Sequence, residues 1–136
     1  SHSPFSLAFA CRGATIQPYT LHSKILGDIP CLQSDADLFP ERNVRLLDEM
    51  EEQITSGVCG YRYAYRHFEA LVDELEHRVV PRGEELIRHG LAFTVYKHGI
   101  FVVARNLAEA FDNLIRVERN AQVQLLGNLI DAQAIS

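Results

Sequence analysis

The order of apolar and polar positions changes period several times along the chain, and each change marks an element. After Ser3-Pro4, a helix-start signal, the apolar positions Phe5, Leu7, Ala8, Phe9 and Ala10 predict a short, mostly buried helix ending at Gly13. Thr15 to Tyr19 read as extended, with Pro18 excluding a central strand, and Tyr19 to Leu26 reads as another short helix stopped by Gly27. Ile29 to Leu32 reads as a short buried strand, and residues 34 to 43, SDADLFPERN, read as a loop. Val44, Leu47, Met50 or Glu51, and Ile54 recur at helical spacing up to Ser56-Gly57, which predicts an amphipathic surface helix. A second amphipathic series, Phe68, Leu71, Val72, Leu75 and Val79, runs to Pro81. Glu84 to His89 predicts a short helix closed by Gly90. Phe93 to Tyr96 and Ile100 to Ala104 are β-branched and aromatic segments on either side of Lys97-His98-Gly99, to be read as a hairpin or as one strand with a bulge. Asn106 with Glu109 three residues on resembles a capping box. Leu107, Ala110, Phe111, Leu114, Val117 and Ala121 form an apolar stripe behind it, which predicts a long C-terminal helix lying on a sheet.

Helices interleaved with short buried strands give an α/β or mixed α+β class, the sheet covered by helices. With 136 residues, 47% of them hydrophobic, the chain is long enough to bury one core, and neither a repeat nor a linker divides it. A single domain, residues 1–136, is the expectation. The net charge of -5 argues against a phosphate-backbone partner, so no nucleic acid is expected. Cys11, Cys31 and Cys59 lack metal-ligand spacing and are odd in number, which suggests reduced, buried thiols. No apolar run approaches the roughly 20 residues that span a bilayer, and no signal-peptide pattern is seen, so no membrane and a cytoplasmic chain are expected. The chain opens Ser-His-Ser-Pro without Met. The expectation from this start is that something upstream was removed or that the sequence is a piece of a longer one.

Six histidines are present, His2, His22, His67, His77, His89 and His98, and none falls in an HxxxH or HExxH pattern. His98 stands out because it interrupts two apolar strand segments and precedes Gly99, which lets backbone or ligand come close to the imidazole. A polar ring in such a place needs a partner, either a backbone carbonyl or a ligand. Dinucleotide, P-loop and nucleophile-elbow motifs are absent. The cluster Tyr61, Arg62, Tyr63, Tyr65 and Arg66 could hold an anionic or sugar-like ligand but reads more simply as an amphipathic helix start.

The string YKHGIFVVARNLAEAFDNLIRVERNAQVQLL resembles the end of the class II aldolase/adducin family, in which a His-Gly pair after a strand is followed by a second strand and a long helix. SHSPFSLAFA resembles the family's HxH-S-P segment, and LGDIPCL its Gly-x-Pro turn and strand. The resemblance implies a three-layer αβα fold with a central mixed, mainly antiparallel sheet covered by helices, of which this chain is the C-terminal part. It also implies one divalent metal, usually zinc, held by the HxH pair and by the His of the later His-Gly. His2 matches the second of that pair and His98 the third ligand, while the first ligand would stand immediately before Ser1 and the acid/base Glu and phosphate-binding residues further upstream. The chain thus lacks the family's N-terminal segment.

By resemblance, the function is a zinc-dependent aldolase-like lyase that cleaves a small sugar phosphate by retro-aldol reaction through a metal-stabilised enediolate, with a carboxylate moving the proton. Imidazoles two apart on a strand share a face, so such ligands can leave a metal position open for substrate. The alternatives are a sugar-phosphate dehydratase or epimerase of the same family, or a non-catalytic adducin-like oligomerisation module. A homotetramer is implied, and Tyr19, with His22, falls where members place residues near a neighbouring site. The stretch from Gly27 to His98 is longer than the family spacing, which suggests a helical insertion over residues 34–90.

Overall fold

The computed structural model describes residues 1–33, 72 and 74–134. It divides into two units, Ser1–Leu32 with Arg82–Ser136, and Gln33–Pro81. In the second unit, residues 74–78 are helical. The helix expected over 44–56, most of the one expected up to Pro81, the loop at 34–43, and Cys59, His67 and the Tyr61–Arg66 cluster lie outside the described residues, so the description below is of the first unit.

Helix α1, Pro4–Arg12, starts where proline's fixed φ suits the first helical position, and closes at Gly13 with bonds from the Gly13 and Ala14 N–H groups to Ala10 and Phe9. Ser3 does not cap it with its side chain. The Glu118 carboxylate does so instead, accepting from the Phe5 N–H at 2.7 Å and the Ser6 N–H at 2.9 Å. An anion there meets the positive end of the helix dipole. Extended chain follows, where Ile16 and Ile29 exchange both backbone bonds.

The helix expected over Tyr19 to Leu26 is a 3₁₀ segment, Leu21–Ile25. Thr20 and Ser23 satisfy each other's backbone N–H groups through their side chains, and this local bonding replaces the longer-range ladder of an α-helix. Strand β1, Cys31–Leu32, pairs in parallel with β2, Leu91–Val95. That strand in turn pairs antiparallel with β3, Gly99–Val103, in a mixed three-stranded sheet of order β1-β2-β3. All five residues of β2 are buried, as its central place requires, whereas Phe101 and Val103 of β3 are partly exposed. Between the 3₁₀ segment Val80–Arg82 and β2 lies α2, Gly83–His89, and the chain ends in α3, Leu107–Ala134.

Helices α1 and α3 lie against each other and against the β2–β3 hairpin. Their core joins Phe9, Ile16, Leu26, Ile29, Ala92, Ile100, Val117 and Ala121. Burying an aliphatic or aromatic side chain of this size contributes about 1.5–3 kcal/mol, so this cluster dominates the favourable side of folding. Asn106 caps α3 as its spacing with Glu109 suggests, accepting from the Glu109 N–H at 2.9 Å.

The expected apolar stripe of α3 is only half right. Leu107 is 85% exposed and Phe111 58%. The buried face comprises Asn113, Val117, Asn120, Ala121 and Gln124. Polar residues take these positions because the segments packed on α3 bring backbone groups that need partners: Asn113 donates to His89 O, Gln124 accepts from Gln17 N, and Asn120 serves four groups. Cys31 is buried as expected and Cys11 is exposed, since it falls on the outer side of α1. Among the described residues no helix is long and apolar enough to cross a membrane.

Candidate metal centre

The β2–β3 connection is a three-residue turn, Tyr96-Lys97-His98, closing on the pair Val95 and Gly99. Its backbone is tied down at each residue. Tyr96 N–H donates to Leu32 O of β1 at 2.9 Å, Lys97 N–H to Ala10 O of α1 at 3.2 Å, and His98 N–H to Val95 O at 2.9 Å. The turn choice between hairpin and bulged strand is therefore settled as a hairpin. Lys97 takes the left-handed conformation at φ 55°, which costs an L-residue roughly 1–2 kcal/mol and is tolerated best by glycine or asparagine. Lys97→Asn is expected to stabilise the protein by about 0.5 kcal/mol after loss of the exposed contact of the Lys97 ammonium with the Tyr96 ring. A urea midpoint that falls on this substitution would contradict the turn geometry.

The N-terminal residues reach this corner through backbone pairing. The Ser1 amino group donates to Ile100 O at 2.8 Å and Ile100 N–H donates to Ser1 O at 3.0 Å, the double exchange of an antiparallel pair. Gly99 makes the approach possible. Its φ is 144°, and a Cβ there would overlap the Ser1 carbonyl oxygen. The pairing sets His2 beside His98, their ring centroids 6.2 Å apart and their planes at 65°.

His98 is exposed, not buried as its apolar flanks suggested, because the residue falls on the turn and not inside a strand. Its ring has a different support. It stacks on Phe101 at 6.3 Å and 9°, and Phe101 stacks on Phe93 at 5.5 Å and 4°. Three parallel rings restrict the imidazole's rotation while leaving its edge toward His2 and solvent.

The donors are suited to a borderline divalent ion. Imidazole nitrogens bind zinc at about 2.0–2.1 Å, and two adjacent exposed rings can turn toward one ion. Their number falls short of a complete site. Among the described residues no group of three or more His, Cys, Asp or Glu side chains is placed to hold a metal.

Tyr19 is 49% exposed, its backbone N–H bound to Asn120 and its ring beside Gly127 of α3. His22 lines a groove with Arg116 and Arg119 of the same helix, and His89 bonds through Nδ1 with Gly90 O. The structure therefore brings together His2 and His98 and holds Tyr19 and His22 on α3. Sequence reasoning missed Phe101 as the support of His98 and Glu118, Asn113 and Asn120 as the polar residues that fix the framework. The available signal was the recurrence of Asn113, Asn120 and Gln124 on the helical face that carries Val117 and Ala121.

Among curated proteins, none matches the chain significantly. Residues 1–125 match the family model described as the class II aldolase and adducin N-terminal domain, and the chain belongs to that family.

Proposed function

We propose that the chain is a metal-dependent class II aldolase-like lyase domain acting on a small sugar phosphate, with His2 and His98 as two ligands of one zinc or similar divalent ion. The family is generally divalent-metal dependent, consists mostly of aldolases that act on sugar phosphates and form oligomers, and includes adducin members that are not enzymes. The observation that carries the reading is the edge-to-face meeting of His2 and His98, two residues far apart in the chain joined through the Ser1–Ile100 pairing. A divalent ion bound there supplies Lewis acidity for polarising a substrate carbonyl.

The chain's own residues prepare that role. His2 and His98 offer imidazoles on one exposed corner, Gly99 lets the two segments approach, and Phe101 limits the rotation of the His98 ring before any ligand arrives. Tyr19 is proposed as a substrate contact near a neighbouring site of a homotetramer, and a three-layer αβα arrangement in a cytoplasmic enzyme completes the reading. Residues 34–90 are read as an insertion that shapes the pocket mouth or a subunit contact.

The test is cleavage of ketose 1-phosphates by the zinc-loaded protein, followed by coupled detection of the aldehyde and glycerone phosphate products. The reading expects turnover, lowered at least 100-fold by His98→Ala, in a protein that carries the family's acid/base carboxylate and remaining ligand, neither of which is assigned among these 136 residues, and little or none from these residues by themselves. Dehydration or epimerisation of a sugar phosphate without cleavage would move the assignment to the family's other chemistries. The alternative from another class is a non-catalytic adducin-like module, since the family includes members that are not enzymes. A metal-loaded protein that carries the acid/base carboxylate and remaining ligand and is still inert toward all three reactions would select that module.

A further inference from the structure

At the end of the hairpin away from His98, two grooves of about 330 and 430 Å³ meet along one flank of α3 and share Asp112 and Arg116. The separation from the histidine pair is substantial. The grooves adjoin His89, just before Leu91, whereas His98 follows Val95, and four steps of strand at about 3.3 Å each set them roughly 13 Å apart.

The arginines of this flank exceed its carboxylates. Arg88, Arg105, Arg116 and Arg119 line the grooves against Glu109 and Asp112, in a chain whose net charge is -5. Glu109 is already engaged by Arg105, which contacts it through Nε at 3.2 Å and Nη2 at 3.3 Å and holds its carboxyl below the usual range. Among the described residues, none of Arg88, Arg116 and Arg119 is in an ion pair.

Arg116 is also oriented in advance. Its Nη1 donates to Asn113 Oδ1 at 2.8 Å, and Asn113, 1% exposed, is itself fixed by donation from Nδ2 to His89 O at 2.8 Å. A buried amide that aims a guanidinium leaves the other N–H donors of its fork for a ligand, and the geometry of that fork matches phosphoryl oxygens. Ile115 and Val123 give the larger groove an apolar wall beside Arg116.

We propose that this flank of α3 is a binding site for a phosphorylated small molecule, its phosphoryl group held by Arg116 with Arg88 and its organic body laid over Ile115 and Val123. The site is separate from the histidine pair and does not depend on metal. Calorimetric titration of the EDTA-treated full chain with inorganic phosphate and with phenyl phosphate tests it. Saturable binding at one site per chain is expected, with phenyl phosphate at least tenfold tighter, and with both weakened tenfold or more in Arg116→Gln and in Arg88→Gln, the latter an exposed position where folding is not at risk. Equal affinity for the two probes assigns the phosphoryl site to free phosphate and overturns the apolar half of the proposal. Wild-type affinity in both arginine variants, or no binding in competition with chloride at matched ionic strength, overturns it entirely. Loss of binding in His98→Ala would place the anion at the histidine pair and also overturn it, whereas failure of the metal reading leaves these titrations unchanged.

Discussion

Asn120→Leu is expected to lower the unfolding free energy by about 3–4 kcal/mol, the largest loss from any single polar residue of the framework. Asn120 is 2% exposed. Its Oδ1 accepts from Tyr19 N–H at 2.9 Å, Thr20 N–H at 2.9 Å and Ser23 Oγ at 2.8 Å, while its Nδ2 donates to Gln17 O at 2.6 Å. Leucine is similar in volume and offers no polar atom, so the packing survives while these partners are left without theirs. Each unsatisfied buried group costs about 1–3 kcal/mol. The sum is smaller than four full penalties because the Thr20 N–H also reaches Ser23 Oγ, and Ser23 Oγ also reaches Thr20 O. Urea unfolding with an unchanged m-value reads the effect directly. A loss below about 1 kcal/mol would mean that residues 17–23 are not held on α3 in this way.

Gly99→Ala is expected to cost about 3 kcal/mol and to separate the two histidines. The backbone φ of 144° lies in a region nearly restricted to glycine, which contributes about 1–3 kcal/mol of strain with any other residue. The added methyl would meet the Ser1 carbonyl oxygen, a backbone atom that can yield only by breaking its bond to Ile100 N–H, and would stand 3.4 Å from His2 Cδ2. Stability and site geometry therefore fall together. Unfolding measurements report the first, and loss of the contact between the His2 and His98 ring protons in NMR spectra reports the second. A folded variant that keeps the ring contact would contradict the assigned approach of the N-terminal segment.

How legible the molecule was depends on what each element is made of. Elements with local signals were readable: Ser3-Pro4 and Gly13 bound α1, Gly90 ends α2, and Asn106 starts α3, because caps and breakers act within a few residues. The hairpin was readable as two apolar runs around Lys97-His98-Gly99. The 3₁₀ form of Leu21–Ile25 was not, since its local Thr20–Ser23 bonding is held in place by a tie to Asn120, a partner a hundred residues away. The same non-locality hid the polar face of α3. A hydrophobic stripe predicts what is buried only where the neighbours are apolar, and here they are backbone groups of residues 17–23 and His89.

The site shows the same division. His98 was marked by its place between strands, and the resemblance paired it with His2, but neither spacing nor periodicity joins residues 96 positions apart. That juncture is made by a single backbone pair, Ser1 with Ile100, permitted by Gly99. The support of His98 by Phe101 and Phe93 follows from the cross-strand register, which places those two phenylalanines opposite each other, and the register is fixed only once the turn is known. The arginine flank of α3 was invisible because Arg88, Arg105, Arg116 and Arg119 form no local motif in the chain and come together only where α2 and the start of α3 meet at the two grooves.

The central claim is that His2 and His98 hold one divalent ion together. Its most direct test is cobalt(II) titration of the metal-free protein followed by visible absorption, with zinc competition to fix the affinity. One ion per chain is predicted in the wild type, weakened at least tenfold by His2→Ala and by His98→Ala alike and unchanged by His22→Ala. Wild-type stoichiometry and affinity in both ligand variants would contradict the claim.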